Sequence, residues 1–278
     1  MAIGAFDGMH LGHQALFERL GPHGAVVVID KGHSTLTPGR SRCRYLSYPC
    51  YFLKLEEIKD LDAQGFAHLL RELFPDLRRV VVGYDFAFGK DRRFRPKDLE
   101  PFFEVEVVDE VRVDEISIHS RTIRQLLLQG KVAQAARLLG RYYSVEGSVI
   151  KGQGIGSKEL VPTLNLKIDR YLLPKEGVYA TFAIVDGRCY KSVTFIGKRL
   201  STDQAYSVET HIIGAKIFSA QRVRIIFVQF LRPNRVYKRL QDLKKQIEHD
   251  IKKAKEVLDE EVVMDYLGVD GALCKRAH

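Results

Sequence analysis

The sequence predicts an open α/β sheet domain followed by an antiparallel all-β domain that closes on a long amphipathic helix. Three observations carry this. In the first half, apolar runs of four to six residues (25–29, 79–82 and 103–108) alternate with helical patterns at 13–20 and 66–74. Near-continuous apolar runs are what strands covered on both faces look like, so the sheet is expected to be parallel. From 143 to 231 the texture changes to glycine and β-branched residues in half-alternating runs with turn signals between them, the pattern of a barrel or sandwich. The length of 278 residues then suits two domains at roughly 150 residues each.

The elements follow in order. A short strand before Gly4 leads into a glycine-rich turn and the first helix; strands at 25–29, 79–82 and 103–108 and the helix at 66–74 complete the first domain, 1–125. Two short helices, 122–128 and 132–139, broken at Gly130, make a helical junction over 126–142. The second domain, 143–262, holds strand runs at 143–150, 179–185, 192–196 and 221–230. Pro233-Asn234 reads as a stop and N-cap, after which Val236, Leu240, Leu243, Ile247, Ile251, Val257 and Leu258 mark one face of a long helix. The tail, 263–278, shows no pattern.

Composition excludes several classes. With 45% hydrophobic and 28% charged residues the chain is neither disordered nor fibrous. Cys43, Cys50, Cys189 and Cys274 are scattered without a C-x-x-C pair, so neither a disulfide framework nor a zinc site is expected, and a cytoplasmic location fits. No apolar run approaches the 18 or so residues that span a bilayer, and no signal peptide is expected at the start. The net charge of +9 at first suggests a polyanion partner. Residues 1–125, however, carry 18 basic and 19 acidic side chains, and residues 126–278 carry 26 and 16. Much of the excess lies in 232–255, nine basic residues against three acidic, where lysines on the outer faces of a helix are a solvated surface. No nucleic-acid or membrane partner is therefore expected.

The opening Gly4-Ala-Phe-Asp-Gly-Met-His-Leu-Gly-His13 sits between a strand and a helix. In α/β sheets this is where phosphates bind, because a helix N-terminus offers unpaired N–H groups and the positive end of its dipole. Gly4, Gly8 and Gly12 allow a tight turn and close approach. His10 and His13, three apart, can point the same way and donate to a triphosphate. Two readings of H-x-G-H alone stay open here, a phosphate site or a helix-capping turn. A Walker loop and a G-x-G-x-x-G fingerprint are excluded by the missing residues.

The longer string G-x-F-D-G-x-H-x-G-H resembles the nucleotidylyltransferase signature, most closely that of the bacterial bifunctional riboflavin kinase/FMN adenylyltransferases, the FAD synthetases. Gly83-Tyr-Asp-Phe-Ala-Phe-Gly89 is similar to their G-x-D-F-x-F-G segment, Ser120-Arg-Thr-Ile-Arg124 to S-S-T-x-I-R, and Leu139-Gly-Arg141 to the junction between the modules. Gly147 to Gly152, Gly156, Pro162-Thr-Leu-Asn165 and Ser207-Val-Glu-Thr-His211 resemble the riboflavin kinase module, and the likeness runs to about residue 258. The fold implied is a Rossmann-like nucleotidylyltransferase sheet plus a riboflavin-kinase barrel. The activities implied are phosphorylation of riboflavin to FMN and adenylylation of FMN to FAD.

By the same resemblance His10, His13 and Arg124 serve adenylyl transfer, and Gly4, Phe6, Asp7, Gly8, Gly12, Ser120, Gly152 and Gly156 bind nucleotide. Asp85, Phe86 and Phe88 contact flavin, although core packing explains the two rings equally well. Thr163 and Asn165 hold Mg²⁺, and Glu209 is the base for the ribityl 5′-hydroxyl. ATP is the co-substrate, and riboflavin, FMN and FAD are substrate and products. The chain departs from the family strings at His119 and Arg121 (Ser and Thr there), at Phe94 (Gly), at Leu160-Val161 (Gly-Phe) and at Leu200-Ser201 (Pro-Thr). Two rival functions remain at this point: a tRNA-associated ATP-binding protein, since H-x-G-H also resembles a synthetase motif, and a flavin-binding regulator with decayed sites. Oligomeric state is not legible.

Overall fold

The computed structural model describes residues 1–150, 161–199, 206–215, 217, 220–260 and 274. The chain folds as two compact units, Met1–Thr122 and Ile123–His278.

The first unit is a five-stranded parallel sheet in the order β3-β2-β1-β4-β5. Its strands are β1 (Ala2–Gly4), β2 (Val26–Asp30), β3 (Cys50–Lys54), β4 (Arg79–Gly83) and β5 (Glu104–Val108). The continuous apolar runs have their cause in the two faces. Ile3, Val27, Ile29, Val80 and Val82 pack on one side with Phe66, Ala67 and Leu70 of helix α3 (Ala63–Leu73; the short α2 is Leu55–Ile58). Ala2, Val26, Val28 and Val81 pack on the other with Leu16 and Phe17 of helix α1 (Leu11–Phe17). Alternate residues of one strand thus feed two cores, and neither face tolerates a polar side chain. Asp62 starts α3 by accepting from Gly65 N at 2.7 Å.

Strand order reverses at β1, from which the chain builds first towards β3 and then, through β4, towards β5. In open α/β sheets such a reversal leaves a crevice at the carboxyl ends of the two central strands. Here those ends are Gly4 and Gly83. A small antiparallel pair, β6 (Arg112–Val113) and β7 (Ile116–Ser117), follows β5.

Helix α4 (Ser120–Leu128) leads into α5 (Val132–Leu139), which Gly140 terminates in the left-handed conformation (φ 71°). The unit boundary falls within α4, after Thr122, and α5 lies in the second unit, packed on strands β8 and β13. That unit is a closed antiparallel barrel, β10-β11-β12-β9-β8-β13, so of the two architectures left open by the sequence it is the barrel. The strands are β8 (Tyr143–Ile150), β9 (Leu164–Ile168), β10 (Gly177–Val185), β11 (Arg188–Lys198), β12 (Tyr206–Ile212) and β13 (Arg222–Arg232).

One face of β10 (Ala180, Phe182, Ile184) packs with Ile226 and Val228 of β13 against Ala254, Val257 and Leu258 of helix α6 (Leu240–Leu258). The other face holds a ladder of fully buried hydroxyls: Thr181 lies 2.7 Å from Ser192 and 2.8 Å from Thr194, and Thr194 lies 2.8 Å from Thr210. Each hydroxyl has a partner, so the polar core is satisfied and fixes strand register.

Two expectations are corrected. The last helix begins at Leu240, not after Asn234, because the Asn234 side chain is spent elsewhere: Nδ2 donates to Lys198 O at 2.6 Å and Oδ1 accepts from Arg235 N. Cysteine spacing gave no reason to expect a disulfide, yet Cys189 and Cys274, 85 positions apart, are bonded beside α6; Cys43 and Cys50 are free.

Helix α6 is tied to the barrel by a buried ion pair. Asp250 accepts from Arg232 Nε at 3.0 Å and Nη2 at 2.7 Å, and from Gln246 Nε2 at 2.9 Å. Breaking such a pair strands a charge in the interior. Asp250→Ala is expected to cost the barrel domain about 3–5 kcal/mol in denaturant unfolding; a loss under about 1 kcal/mol would show that the pair is solvent-relaxed.

Candidate active sites

At the carboxyl end of β1 the chain turns through a strained loop: Phe6 (φ 50°) and Met9 (φ 46°) occupy the left-handed region beside Gly8 (φ 93°). Non-glycine residues hold this conformation only where their surroundings over-determine it. The surroundings here are a set of bonds centred on Asp7, which is 5% exposed. Its carboxylate accepts from Thr37 N at 3.0 Å, Leu36 N at 3.1 Å and Thr35 N at 3.3 Å. Gly8 N donates back to Thr37 Oγ1 at 2.7 Å, and Ser120 Oγ donates to the Asp7 carbonyl at 2.7 Å. Motif residues at the end of β1, the connection after β2 and the start of α4 are thereby knitted together.

His10 and His13 lie ring on ring, centroids 3.5 Å apart at 20°, and Phe6 meets His13 edge-on at 5.1 Å. His10 occupies the N-cap position of α1 without a side-chain cap bond, which removes the capping reading for it. At Gly12 the approach is close, since a Cβ there would come within 3.2 Å of His10 Nδ1. Arg124 stands one turn beyond Ser120 on α4, a spacing that shares a helix face.

At the end of β4, Asp85 is exposed, while Phe86 and Phe88 are buried with Phe66 and Leu99 in the sheet core. Packing accounts for both rings. Phe94 bridges to Phe88 through paired backbone bonds of 3.2 Å, and its ring lies over Gly89. His119 is engaged with Tyr84 (3.3 Å) and Glu110 (3.7 Å). A hydrogen bond from Ser117, reinforced by Tyr84, Arg112 and His119, holds the Glu110 carboxyl below the usual carboxylate range.

The second site is built by barrel register. Glu209 on β12 stands opposite Asn165 on β9, and Thr163, just before β9, donates to Glu209 Oε2 at 3.3 Å. Three oxygen-bearing side chains from two strands are thus brought together. Ser207 Oγ donates to Glu209 Oε1 at 2.9 Å, and Arg199 Nη1 reaches the same oxygen at 3.3 Å. Sequence reading missed Arg199 and Ser207 as partners of the carboxylate; Ser207, two residues before Glu209 on one strand, was the available signal, since i and i+2 share a face. Gly152, Gly156 and Leu160 lie outside the described residues.

The riboflavin kinase family profile matches residues 139–258. The bifunctional riboflavin kinase/FMN adenylyltransferase of Listeria monocytogenes is 30% identical over 282 residues, covering 90% of this chain and 89% of the relative. The protein of the same name from Mycoplasma pneumoniae is 31% identical over 268 residues, covering 91% and 95%. The chain belongs to the bifunctional riboflavin kinase/FMN adenylyltransferase family.

A crystal structure titled macrolide-efflux protein, from Streptococcus pneumoniae, also superposes with a TM-score of 0.78 at 25% identity, covering 91% of this chain and 93% of that one. Among the described residues of this family member no helix is long and apolar enough to cross a membrane.

The bond from Gly8 N to Thr37 couples the two loops of the first site. Thr37→Val should remove about 1–3 kcal/mol of protection from the Gly8 amide, read by hydrogen exchange; unchanged exchange would mean that the loop does not depend on this bond.

Proposed function

We propose that the chain makes FAD from riboflavin in two steps at two sites: ATP phosphorylates riboflavin to FMN at the barrel, and a second ATP adenylylates FMN at the crevice of the parallel sheet, releasing pyrophosphate. Family membership supports both activities, and the observation that carries the reading is the convergence of Thr163, Asn165 and Glu209.

In the kinase step a primary alcohol must lose its proton as its oxygen attacks the γ-phosphorus. Glu209 is the base for the ribityl 5′-hydroxyl, and ADP leaves with the electrons of the broken bond. Arg199 and Ser207 orient the carboxylate through Oε1, and Thr163 meets the other oxygen. The donor set fits Mg²⁺: Thr163 spends its proton on Glu209, which leaves oxygen lone pairs beside the Asn165 amide oxygen for a hard cation. Bound there, Mg²⁺ supplies charge neutralisation for the triphosphate.

Adenylyl transfer needs no base, because the attacking FMN phosphate oxygen is already an anion. It needs aimed donors for the charge that builds around the α-phosphorus. His10 and His13 with Arg124 fill that role, Gly4, Phe6, Asp7, Gly8 and Gly12 shape the loop that receives the triphosphate, and Ser120 fixes it to α4. Asp85, exposed at the end of β4, meets the flavin, with Phe86 and Phe88 as the packed floor behind it.

Separate sites predict separable losses. Glu209→Ala should lower FMN formation by about 10²–10⁴-fold while FAD formation from supplied FMN is unchanged. The double change His10→Ala, His13→Ala should do the reverse, with a loss of about 10²–10³-fold in adenylyl transfer. Parallel loss of both activities in either variant contradicts the assignment.

A further inference from the structure

Arg42 is the largest fully buried side chain in the described protein, 0% exposed, in the 3-10 helix Gly39–Tyr45 of the connection between β2 and β3. Its Nη1 donates to Gly39 O at 3.3 Å, and Nε and Nη2 have no hydrogen-bond partner among the described residues. A buried cation is costly unless its charge is compensated. Burial pushes the guanidinium below its ordinary pKa, and the charges of Asp7 and Asp30, with Cys50 and Cys43, oppose that. With so few of its donors engaged, Arg42 acts on its surroundings through its charge, and the first carboxylate it interacts with is Asp7, which gathers the amides of Thr35, Leu36 and Thr37. The segment 35–42 is then held at both ends, its amides by Asp7 and its Gly39 carbonyl by Arg42.

We propose that Arg42 is a positioning residue for adenylyl transfer, the interior counter-charge that keeps Asp7 clamped on residues 35–37 and so fixes the loop from Phe6 to His10. It touches no substrate. This rests on the function proposed above, and it assigns to the connection after β2 a part in that site that no motif residue supplies.

Two variants test it: Arg42→Gln, which removes the charge but keeps an amide donor for Gly39, and Arg42→Lys, which keeps the charge. Each is measured for FAD formation from supplied FMN, for riboflavin phosphorylation as a control within the same chain, and for exchange of the Leu36 and Thr37 amides. R42Q should slow adenylyl transfer by roughly 10- to 100-fold, as misplacement of reacting groups does, accelerate exchange at Leu36 and Thr37 but not at Val27 or Val28, and leave the kinase unchanged. R42K should keep both amides protected and transfer within roughly threefold of wild type, the margin of a minor change in barrier. Wild-type transfer in R42Q, or unchanged exchange at Leu36 and Thr37, overturns the inference. Should R42Q not fold, R42K decides: loss of protection or of transfer in R42K overturns it. A wild-type chain that forms no FAD overturns the functional reading instead.

Discussion

The first site depends on a single buried carboxylate. Three backbone amides from the connection after β2 converge on Asp7, and its own carbonyl receives Ser120 at the start of α4. Without those bonds the left-handed conformations at Phe6 and Met9 would have no reason to persist, because each costs of order 1–3 kcal/mol. The turn brings His10 and His13 into a stack at the head of α1, which follows the carboxyl end of β1. Phosphate chemistry asks for donors that are in place before the charge develops, and a loop held by buried bonds meets that demand at no cost during the reaction.

The barrel solves a different problem by register. Its interior carries linked hydroxyls where most barrels this small would carry only apolar side chains, and a one-residue slip of β12 would break the Thr194–Thr210 contact while moving Glu209 away from Asn165. Thr210 of the polar ladder and Glu209 are neighbours in sequence on β12 with side chains on opposite faces, and the same pairing fixes both. The end of β13 and helix α6 are joined through Arg232 and Asp250, so the long basic helix braces the barrel.

What was legible in the sequence were features with a local cause. The valine runs of β2 and β4 are continuous because both faces are buried, and Gly8 of the first motif marks the turn after β1. Less legible were β3, where Cys50 and Lys54 bracket a run too mixed to read, and β9 and β12, whose short alternations became strands by pairing with β8 and β11 as well as with each other. The start of α6 was misjudged because Asn234, a good cap by type, has its amide taken by Lys198 across space. Long-range facts were invisible for the same reason: the bond between Cys189 and Cys274, the grip of Arg199 on Glu209, and Arg42, which by residue type belongs on the surface. Phe86 and Phe88 were ambiguous in sequence because a buried ring and a ligand-facing ring share one composition.

The central claim is that one chain carries both steps at two sites. A time course of the purified protein with riboflavin, ATP and Mg²⁺, in which FMN and FAD are separated and quantified, tests it most directly. FMN is expected to appear first and FAD to follow from it, with pyrophosphate released in step with FAD. Riboflavin left unconverted, or FMN that accumulates without FAD when ATP is in excess, would contradict it.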